Sequence, residues 1–163
     1  MLYFAYGSNM STPRLQARVP SAQILGVAVL AAHRLAFHKI GGDGTAKCDA
    51  CHTGDAGDTV LGVVFRIDAR EKTALDAFEG LGRGYEQKQV TLAMSDGSSL
   101  EAFTYYATLI DDALRPFDWY RQHVLRGAVE HGLPRAYVRR IEAVPAVADP
   151  LAGRSTAEMM IYR

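Results

Sequence analysis

Cysteine is scarce in this sequence, and no long apolar run interrupts it. Two cysteines among 163 residues are too few to cross-link a secreted domain, so we expect a reducing compartment. No apolar stretch approaches the roughly 20 residues that a membrane-spanning helix requires. Residues 1–7 contain neither the basic segment nor the apolar centre of a secretory signal. We therefore expect a soluble, cytoplasmic protein without a membrane partner.

The sequence also lacks an excess of charge of either sign. Lysine and arginine total 18, aspartate and glutamate total 18, and the formal net charge is zero. This balance gives no electrostatic reason to expect nucleic acid as a partner. Hydrophobic residues make up 48% and charged residues 22%, which is typical of an ordered globular chain. The length suits one domain over residues 1–163.

Apolar and alternating runs predict a mixed α and β chain in which strands outnumber helices. The segment 41–58 is rich in Gly and Asp, and it is interpreted as an exposed loop. Helices are predicted after Ser11 or Thr12, from Asp68 to about Glu79, after Pro116 and from Pro134. The helix after Pro116 has one apolar face, formed by Phe117, Tyr120, Val124 and Ala128. The predicted strands are 2–6, 23–32, 35–38, 60–67, 85–93 and 100–107, and Asp96-Gly97 supplies a hairpin turn between the last two.

The predicted helix 69–79 has clear signals at both ends. Asp68 is a good N-cap, and Glu71 three residues later completes the pattern of a capping box. Gly80 directly after the helix is typical of a left-handed C-terminal stop. The helix therefore ends at Glu79, immediately before a glycine-rich segment.

Glu79 is the most unusual residue of that helix. Leu75 and Phe78 indicate the core-facing side, and Glu79 lies four residues after Leu75 on nearly the same face. Burial disfavours the ionised carboxylate, and so does the negative end of the helix dipole. Both effects favour the protonated form, as expected for a general base that works near neutrality. The alternative is a half-exposed structural glutamate paired with a neighbour such as Arg83.

The segment Tyr6-Gly7-Ser8-Asn9 joins the first strand to a helix start. Gly7 permits backbone angles that other residues resist, and successive N–H groups in such a loop can form an anion-binding nest. The same pattern is common in ordinary loop closures. The interpretation of Ser8 as a covalent nucleophile is less favoured, because no histidine lies nearby in sequence to act as its base.

Cys48 and Cys51 offer a different kind of site. Together with His52 they fit the spacing of a haem-attachment motif, but that chemistry requires export. A zinc site needs two further ligands, for which His33 and His38 are candidates. A thioredoxin-like pair opens a helix after a strand, whereas this pair lies among Gly and Asp. The preferred interpretation is a pair of loop thiols that can be reversibly oxidised.

Several segments of the chain form one recognisable series. They are Tyr3-Phe4-Ala5-Tyr6-Gly7-Ser8-Asn9-Met10, 61–65, Phe78-Glu79-Gly80, Gly84-Tyr85 and 127–134, followed by Tyr137 and Ile141-Glu142. In sequence and in order, these segments resemble the gamma-glutamylcyclotransferase-like family. The resemblance covers most of the chain and leaves the tail after about residue 145 unmatched.

The resemblance implies an α+β fold, a single-domain small mixed β-barrel-like sheet with peripheral helices. It implies an intramolecular aminolysis, in which the α-amine of a gamma-glutamyl group attacks its own γ-carbonyl and releases 5-oxoproline and an amine. Neither a metal nor a cofactor is implied. Glu79 takes the role of general acid/base in this reaction.

The resemblance also assigns binding residues. Gly7, Ser8 and Asn9 form the loop that grips the glutamyl group, Tyr6 closes one wall, and Tyr85 and Tyr105 line the pocket. The implied partner is a small-molecule gamma-glutamyl substrate, and the resemblance does not specify which amine or peptide departs from it. A homodimer is possible. The alternatives are a non-catalytic ligand-binding protein on the same fold and, less favoured, a metal- or redox-responsive protein that uses Cys48 and Cys51.

Overall fold

The chain forms seven strands and five helices. A computed structural model describes all 163 residues. Short 3-10 turns at Ser8–Met10, Ala69–Glu71 and Met160–Tyr162 complete the regular structure. The predicted mixed α and β class is confirmed. The elements are β1 Leu2–Ala5, α1 Thr12–Arg18, β2 Gln23–Ala31, β3 His33–Ile40, β4 Ala46–His52, β5 Thr59–Arg66, α2 Lys72–Glu79, β6 Tyr85–Met94, β7 Ser99–Ala107, α3 Asp118–Glu130, α4 Arg135–Glu142 and α5 Arg154–Met159.

Five strands close into a barrel in the order β1-β5-β2-β6-β7. The short strand β1 closes it: β1 pairs antiparallel with β5, and Tyr3 pairs in parallel with Phe103 of β7. Apolar residues of these strands are buried, and Phe4 and Phe65 are fully enclosed. The predicted barrel-like sheet with peripheral helices is confirmed.

The hairpin between β6 and β7 follows its sequence signal. Asp96 accepts a hydrogen bond of 2.9 Å from the N–H of Ser98, and Gly97 adopts a φ of 83°. Such a turn requires a residue that tolerates positive φ. The register then places Tyr85 opposite Ala107 and sends the polar side chains of β6 outward.

The prediction of an exposed loop over 41–58 was wrong. Strand β4 occupies the middle of this segment and pairs antiparallel with β3 in a separate two-stranded sheet. Ala46, Cys48 and Ala50 are buried, because alternate positions of a strand face the same side. The glycines and aspartates that suggested exposure lie mainly in the flanking turns. The small apolar residues between them carried the alternating strand pattern.

The predictions for the two ends of α2 are confirmed in part. Asp68 accepts a hydrogen bond of 2.9 Å from the N–H of Arg70, and it caps the 3-10 turn that leads into the helix. Gly80 adopts the left-handed conformation, with a φ of 74°, and ends the helix as predicted. The capping box is not formed. Glu71 instead accepts hydrogen bonds from the N–H and hydroxyl groups of Ser21.

The helix α3 packs against the 3-10 turn Ser8–Met10 and against α4, and Val124 and Ala128 of its predicted apolar face are fully buried. The tail beyond it folds back so that α5 lies against α3 and the final 3-10 turn, Met160–Tyr162, lies against α1. Glu158 of α5 forms an ion pair of 2.8 Å with Arg14 of α1. The tail therefore belongs to the packed domain. No helix of the structure combines the length and the apolarity required to cross a membrane.

Candidate active site

Glu79 is the last residue of α2, and its carboxylate points into the interior. Its side chain is 16% exposed, whereas Phe78, which was predicted to face the core, is 58% exposed. Leu75 is fully buried as predicted. One turn of helix therefore aligns Leu75 and Glu79 and leaves Phe78 outside that face.

Two donors hold the Glu79 carboxylate. Asn9 Nδ2 donates a hydrogen bond of 2.8 Å to Glu79 Oε1, and Arg18 Nη1 lies 3.3 Å from the same oxygen. Arg18 also donates to Asn9 Oδ1 at 3.0 Å, which closes a three-residue network. Both donors stabilise the ionised carboxylate and oppose the effects of burial and the helix end.

Arg18, and not Arg83, is thus the cation beside Glu79. Burial lowers the pKa of Arg18, and the nearby Glu79 partly restores it. Sequence reasoning named Arg83 only as an example of a partner, in the alternative that treats Glu79 as a structural residue, because it is close along the chain. The only signal for Arg18 was its position four residues after Arg14, which places both arginines on one face of α1.

The loop after β1 presents unused hydrogen-bond donors. The N–H groups of Gly7, Ser8 and Asn9 find no acceptor in the chain, although the carbonyls of Gly7 and Ser8 accept hydrogen bonds from the N–H groups three residues later, those of Met10 and Ser11. These N–H groups begin the 3-10 turn Ser8–Met10, where the first donors have no partner within the turn. The loop also borders the same cavity as Glu79. It can therefore donate several hydrogen bonds to a ligand oxygen.

Helix α3 supports this loop by direct backbone packing. A Cβ added at Gly127 would lie 2.5 Å from the nitrogen of Ser11 and 2.6 Å from the carbonyl carbon of Met10. No side chain fits in that space. The glycine lets the helix fix the position of the loop.

The three tyrosines predicted to line the pocket do line it, but each hydroxyl donates a hydrogen bond to another part of the protein. Tyr6 donates to the carbonyl of Tyr105 at 2.7 Å, and Tyr85 donates to the carbonyl of Cys48. Tyr105 donates to Asp76 Oδ1 of α2 at 2.5 Å. The rings form the wall, and the hydroxyls tie the barrel to β4 and to the helix that carries Glu79.

Sequence reasoning missed three residues of the cavity: Tyr3, Cys48 and Tyr120. Tyr120 accepts a hydrogen bond of 3.0 Å from the N–H of Cys48, and Tyr3 accepts one of 3.2 Å from Asn9. Burial raises the pKa of the Cys48 thiol to about 12, so this thiol stays protonated. Helical spacing placed Tyr120 in the core but could not show that its hydroxyl reaches a cavity.

These residues enclose a small inner cavity of about 20 Å³. That space accommodates little more than a water molecule. The structure brings together all seven residues predicted for the site. The lining consists of Tyr3, Tyr6, Gly7, Ser8, Asn9, Cys48, Glu79, Tyr85, Tyr105 and Tyr120.

A larger groove of about 390 Å³ lies next to the inner cavity and shares four lining residues with it. A ligand larger than a few atoms must extend into this groove. Its lining is rich in positive charge. The cationic residues that line it are Arg14, Arg18, Lys39, Lys47 and Arg83.

Cys48 and Cys51 do not form a joint site. Three residues along a strand span about 10 Å, beyond the Cα separation of a disulfide, and the two residues face opposite sides of β4. Cys48 borders the inner cavity. Ligand atoms of Cys51, His38 and Asp49 lie within 4.8 Å of one another on the other side, where His38 Nε2 and Asp49 Oδ2 are hydrogen-bonded at 2.9 Å. The predicted pairing of the two cysteines was wrong.

Fold and site together define a barrel with a carboxylate facing a loop of free N–H donors, an arrangement suited to proton transfer at a bound carbonyl compound. Comparison with known proteins gives the family. The model of the AIG2-like family matches residues 59–141. The gamma-glutamylcyclotransferase of Homo sapiens is 34% identical over 150 residues, and the match covers 88% of this chain and 78% of that protein.

The gamma-glutamylcyclotransferase of Bos taurus is 33% identical over 150 residues, with the same coverage of both chains. A solved structure of a gamma-glutamyl cyclotransferase superimposes with a TM-score of 0.88 at 28% identity, over 99% of this chain and 98% of that chain. The chain belongs to the AIG2-like family, within the group of the gamma-glutamylcyclotransferases. The family, the fold and the enzyme class predicted from the sequence are confirmed.

Proposed function

We propose that this protein cyclises a gamma-glutamyl amine or peptide to 5-oxoproline, with Glu79 as general acid/base. The observation that carries the proposal is the placement of the Glu79 carboxylate and the free N–H groups of 7–9 around one cavity. The gamma-glutamylcyclotransferase relatives support the same reaction.

The proposed reaction needs proton transfer and a folded substrate more than a covalent intermediate. The substrate's α-ammonium gives a proton to the Glu79 carboxylate and becomes a nucleophilic amine. Its nitrogen attacks the γ-carbonyl carbon, a new C–N bond forms, and the carbonyl oxygen takes the negative charge. Holding both groups of one molecule together supplies much of the rate enhancement.

Collapse of this tetrahedral intermediate completes the proposed reaction. Glu79, now protonated, gives its proton to the departing nitrogen, the original γ-amide C–N bond breaks, and the carbonyl re-forms. The ring nitrogen still carries two protons and gives one of them to the Glu79 carboxylate. Glu79 passes this proton to the released amine, which leaves as an ammonium, and Glu79 returns to the carboxylate. The loop N–H groups of Gly7, Ser8 and Asn9 stabilise the oxyanion, and such a donor typically contributes about 10²–10³-fold in rate.

The hydrogen-bond network around Glu79 is compatible with its proposed roles as a base and then as an acid. Asn9 and Arg18 bind the same carboxylate oxygen, Oε1, and no protein donor contacts Oε2. The free oxygen is the one available for proton exchange with the substrate.

The test is release of 5-oxoproline from a panel of gamma-glutamyl compounds, with wild type compared with Glu79→Gln. Glutamine keeps the shape and the hydrogen bond with Asn9 but cannot carry the proton, so kcat falls by several orders of magnitude. Matched folding is checked by circular dichroism and urea unfolding.

Full activity of Glu79→Gln would remove Glu79 from the catalytic role. A wild-type protein that binds gamma-glutamyl compounds without turnover would favour the ligand-binding alternative. Calorimetric titration of the same panel separates those outcomes. A wild-type protein that neither turns over nor binds any compound of the panel would contradict both the catalytic proposal and the ligand-binding alternative.

A further inference from the structure

We infer that Lys39 forms a subsite for a carboxylate on the departing amine, so that gamma-glutamyl amino acids and peptides are preferred over uncharged gamma-glutamyl amines. This inference rests on the proposed reaction and specifies its substrate class. The residue lies on β3 and is not part of any sequence segment that indicated the family.

The charge balance of the outer groove points to an anionic ligand. Three of its five cations already have a carboxylate partner: Arg14 with Glu158, Arg18 with Glu79 and Lys47 with Asp43. The remaining two of the five, Lys39 and Arg83, form no ion pair. The groove therefore carries two uncompensated positive charges beside the proposed site.

Lys39 is the more informative of the two because it is buried. The residue is 5% exposed, and its Nζ lies 4.5 Å from the centroid of the Tyr85 ring. No hydrogen-bond acceptor in the chain contacts this ammonium. Burial lowers its pKa, which the charge of Glu79 partly restores. Most of the side chain is therefore buried, while the ammonium borders the groove without a protein acceptor, and an anionic group of a ligand would supply one.

Packing holds the ammonium in place. A Cβ added at Gly84 would lie 3.0 Å from Lys39 Cε and 3.4 Å from its Nζ, so the side chain runs closely over the backbone of this glycine. The Tyr85 ring supports it on the other side through a cation–π contact. Its position is therefore preorganised, which is what recognition of a small anion requires.

The position of Lys39 assigns it to the departing group and not to the glutamyl head. Lys39 lines the outer groove and not the inner cavity, whereas Gly7 and Asn9 line only the inner cavity. Glu79 lines both, and the scissile amide must lie beside it. The glutamyl head then faces the loop, and the departing amine extends towards Lys39. Arg83 at the exposed end of the groove offers a second charge to a longer or acidic departing peptide.

The experiment compares gamma-glutamyl-alanine with gamma-glutamyl-ethylamine, which differ by the one carboxylate of the departing group. We expect wild type to prefer the alanine compound by about 10- to 100-fold in kcat/KM, the range of a charge-assisted hydrogen bond. Lys39→Met keeps the side-chain length and removes the charge. We expect it to abolish this preference, mainly through a higher KM, and to leave turnover of the ethylamine compound within about threefold.

Lys88→Met is the matched control, since it removes a half-buried lysine of β6 whose Nζ contacts His33 and which lies outside the groove. We expect the control to keep the wild-type preference. Equal losses on both substrates in Lys39→Met would assign Lys39 to the glutamyl head and overturn the inference. So would a wild type that turns over both substrates equally. A wild type inactive on both contradicts the proposed function instead.

Discussion

The side-chain amide of Asn9 donates a hydrogen bond of 2.8 Å to the carboxylate of Glu79, across a separation of 70 residues. The same amide nitrogen lies 3.2 Å from the Tyr3 hydroxyl, and the amide oxygen accepts from Arg18 at 3.0 Å. Asn9 thus connects the loop after β1 with the end of α2. Its backbone N–H has no acceptor in the chain and belongs to the same cavity-lining loop, so one residue couples the proposed oxyanion donors to the proposed base.

Replacing Asn9 by alanine removes this connection. We expect Asn9→Ala to lower kcat for 5-oxoproline release by about 10- to 100-fold, with a smaller change in KM, because Glu79 loses an orienting hydrogen bond. Steady-state kinetics on the best substrate of the panel measure the effect. Tyr3→Phe deletes only the other acceptor of the same amide, and its loss of kcat is expected to be smaller. A larger loss in Tyr3→Phe than in Asn9→Ala would contradict this role.

Gly127→Ala tests whether α3 positions the loop. Alanine normally stabilises a helix by about 1 kcal/mol relative to glycine. Here the added methyl meets the backbone at Ser11 and Met10, so we expect unfolding to require about 1–3 kcal/mol less and activity to fall as the loop moves. Urea unfolding and 5-oxoproline release measure the two effects. Val129→Ala, at a position 60% exposed on the same helix, should change stability by less than about 0.5 kcal/mol.

His38 makes stability depend on pH. Burial lowers its pKa, but hydrogen bonds with Asp49 at 2.9 Å and Asp112 at 2.8 Å outweigh this effect and raise the pKa above the ordinary 6.5. A raised pKa means that protonation stabilises the folded state. This stabilisation is complete below the unfolded pKa and is lost as the pH rises through the folded pKa.

We therefore expect His38→Gln to be more destabilising at about pH 5.5 than at about pH 9. Urea unfolding of both proteins at several pH values gives the difference in free energy. Asp49→Asn keeps the histidine and removes its buried carboxylate partner, so it should show the same trend. A difference that is independent of pH would show that the pair acts only by packing.

The hydroxyl of Tyr162 connects the C-terminal tail to the rest of the domain through hydrogen bonds. It lies 2.6 Å from His123 Nδ1 and donates to Ser11 Oγ at 3.0 Å. We expect Tyr162→Phe to lower the free energy of unfolding by about 1–2 kcal/mol through the loss of two hydrogen bonds. Tyr106→Phe removes a half-buried hydroxyl without a protein hydrogen bond, and its effect should stay below about 0.5 kcal/mol. Equal effects in the two variants would indicate that the Tyr162 hydroxyl does not help to hold the tail.

Local signals predicted much of the fold. The barrel strands, the hairpin at Asp96-Gly97 and the helix stop at Gly80 followed from alternation and turn chemistry, which depend on neighbouring residues. The strand β4 was missed because Gly and Asp in the same segment suggested exposure. The family resemblance drew together Glu79, the loop 7–9 and the tyrosines, which local patterns left as separate candidates. The cytoplasmic location, the absence of nucleic-acid or membrane partners and the possible homodimer stay predictions.

The sequence by itself determined where the backbone turns, which faces are apolar and that Glu79 ends a helix, because these properties depend on residues a few positions apart. Only the tertiary structure decided which charges meet. Closure of the barrel brings Arg18 and Asn9 to Glu79, and pairing of β3 with β4 brings Lys39 and Cys48 to opposite parts of the site. Ion pairs act over a few ångströms in space and are indifferent to separation along the chain. The identity of each partner, and the charge left over for a ligand, therefore depend on the packing of the whole domain.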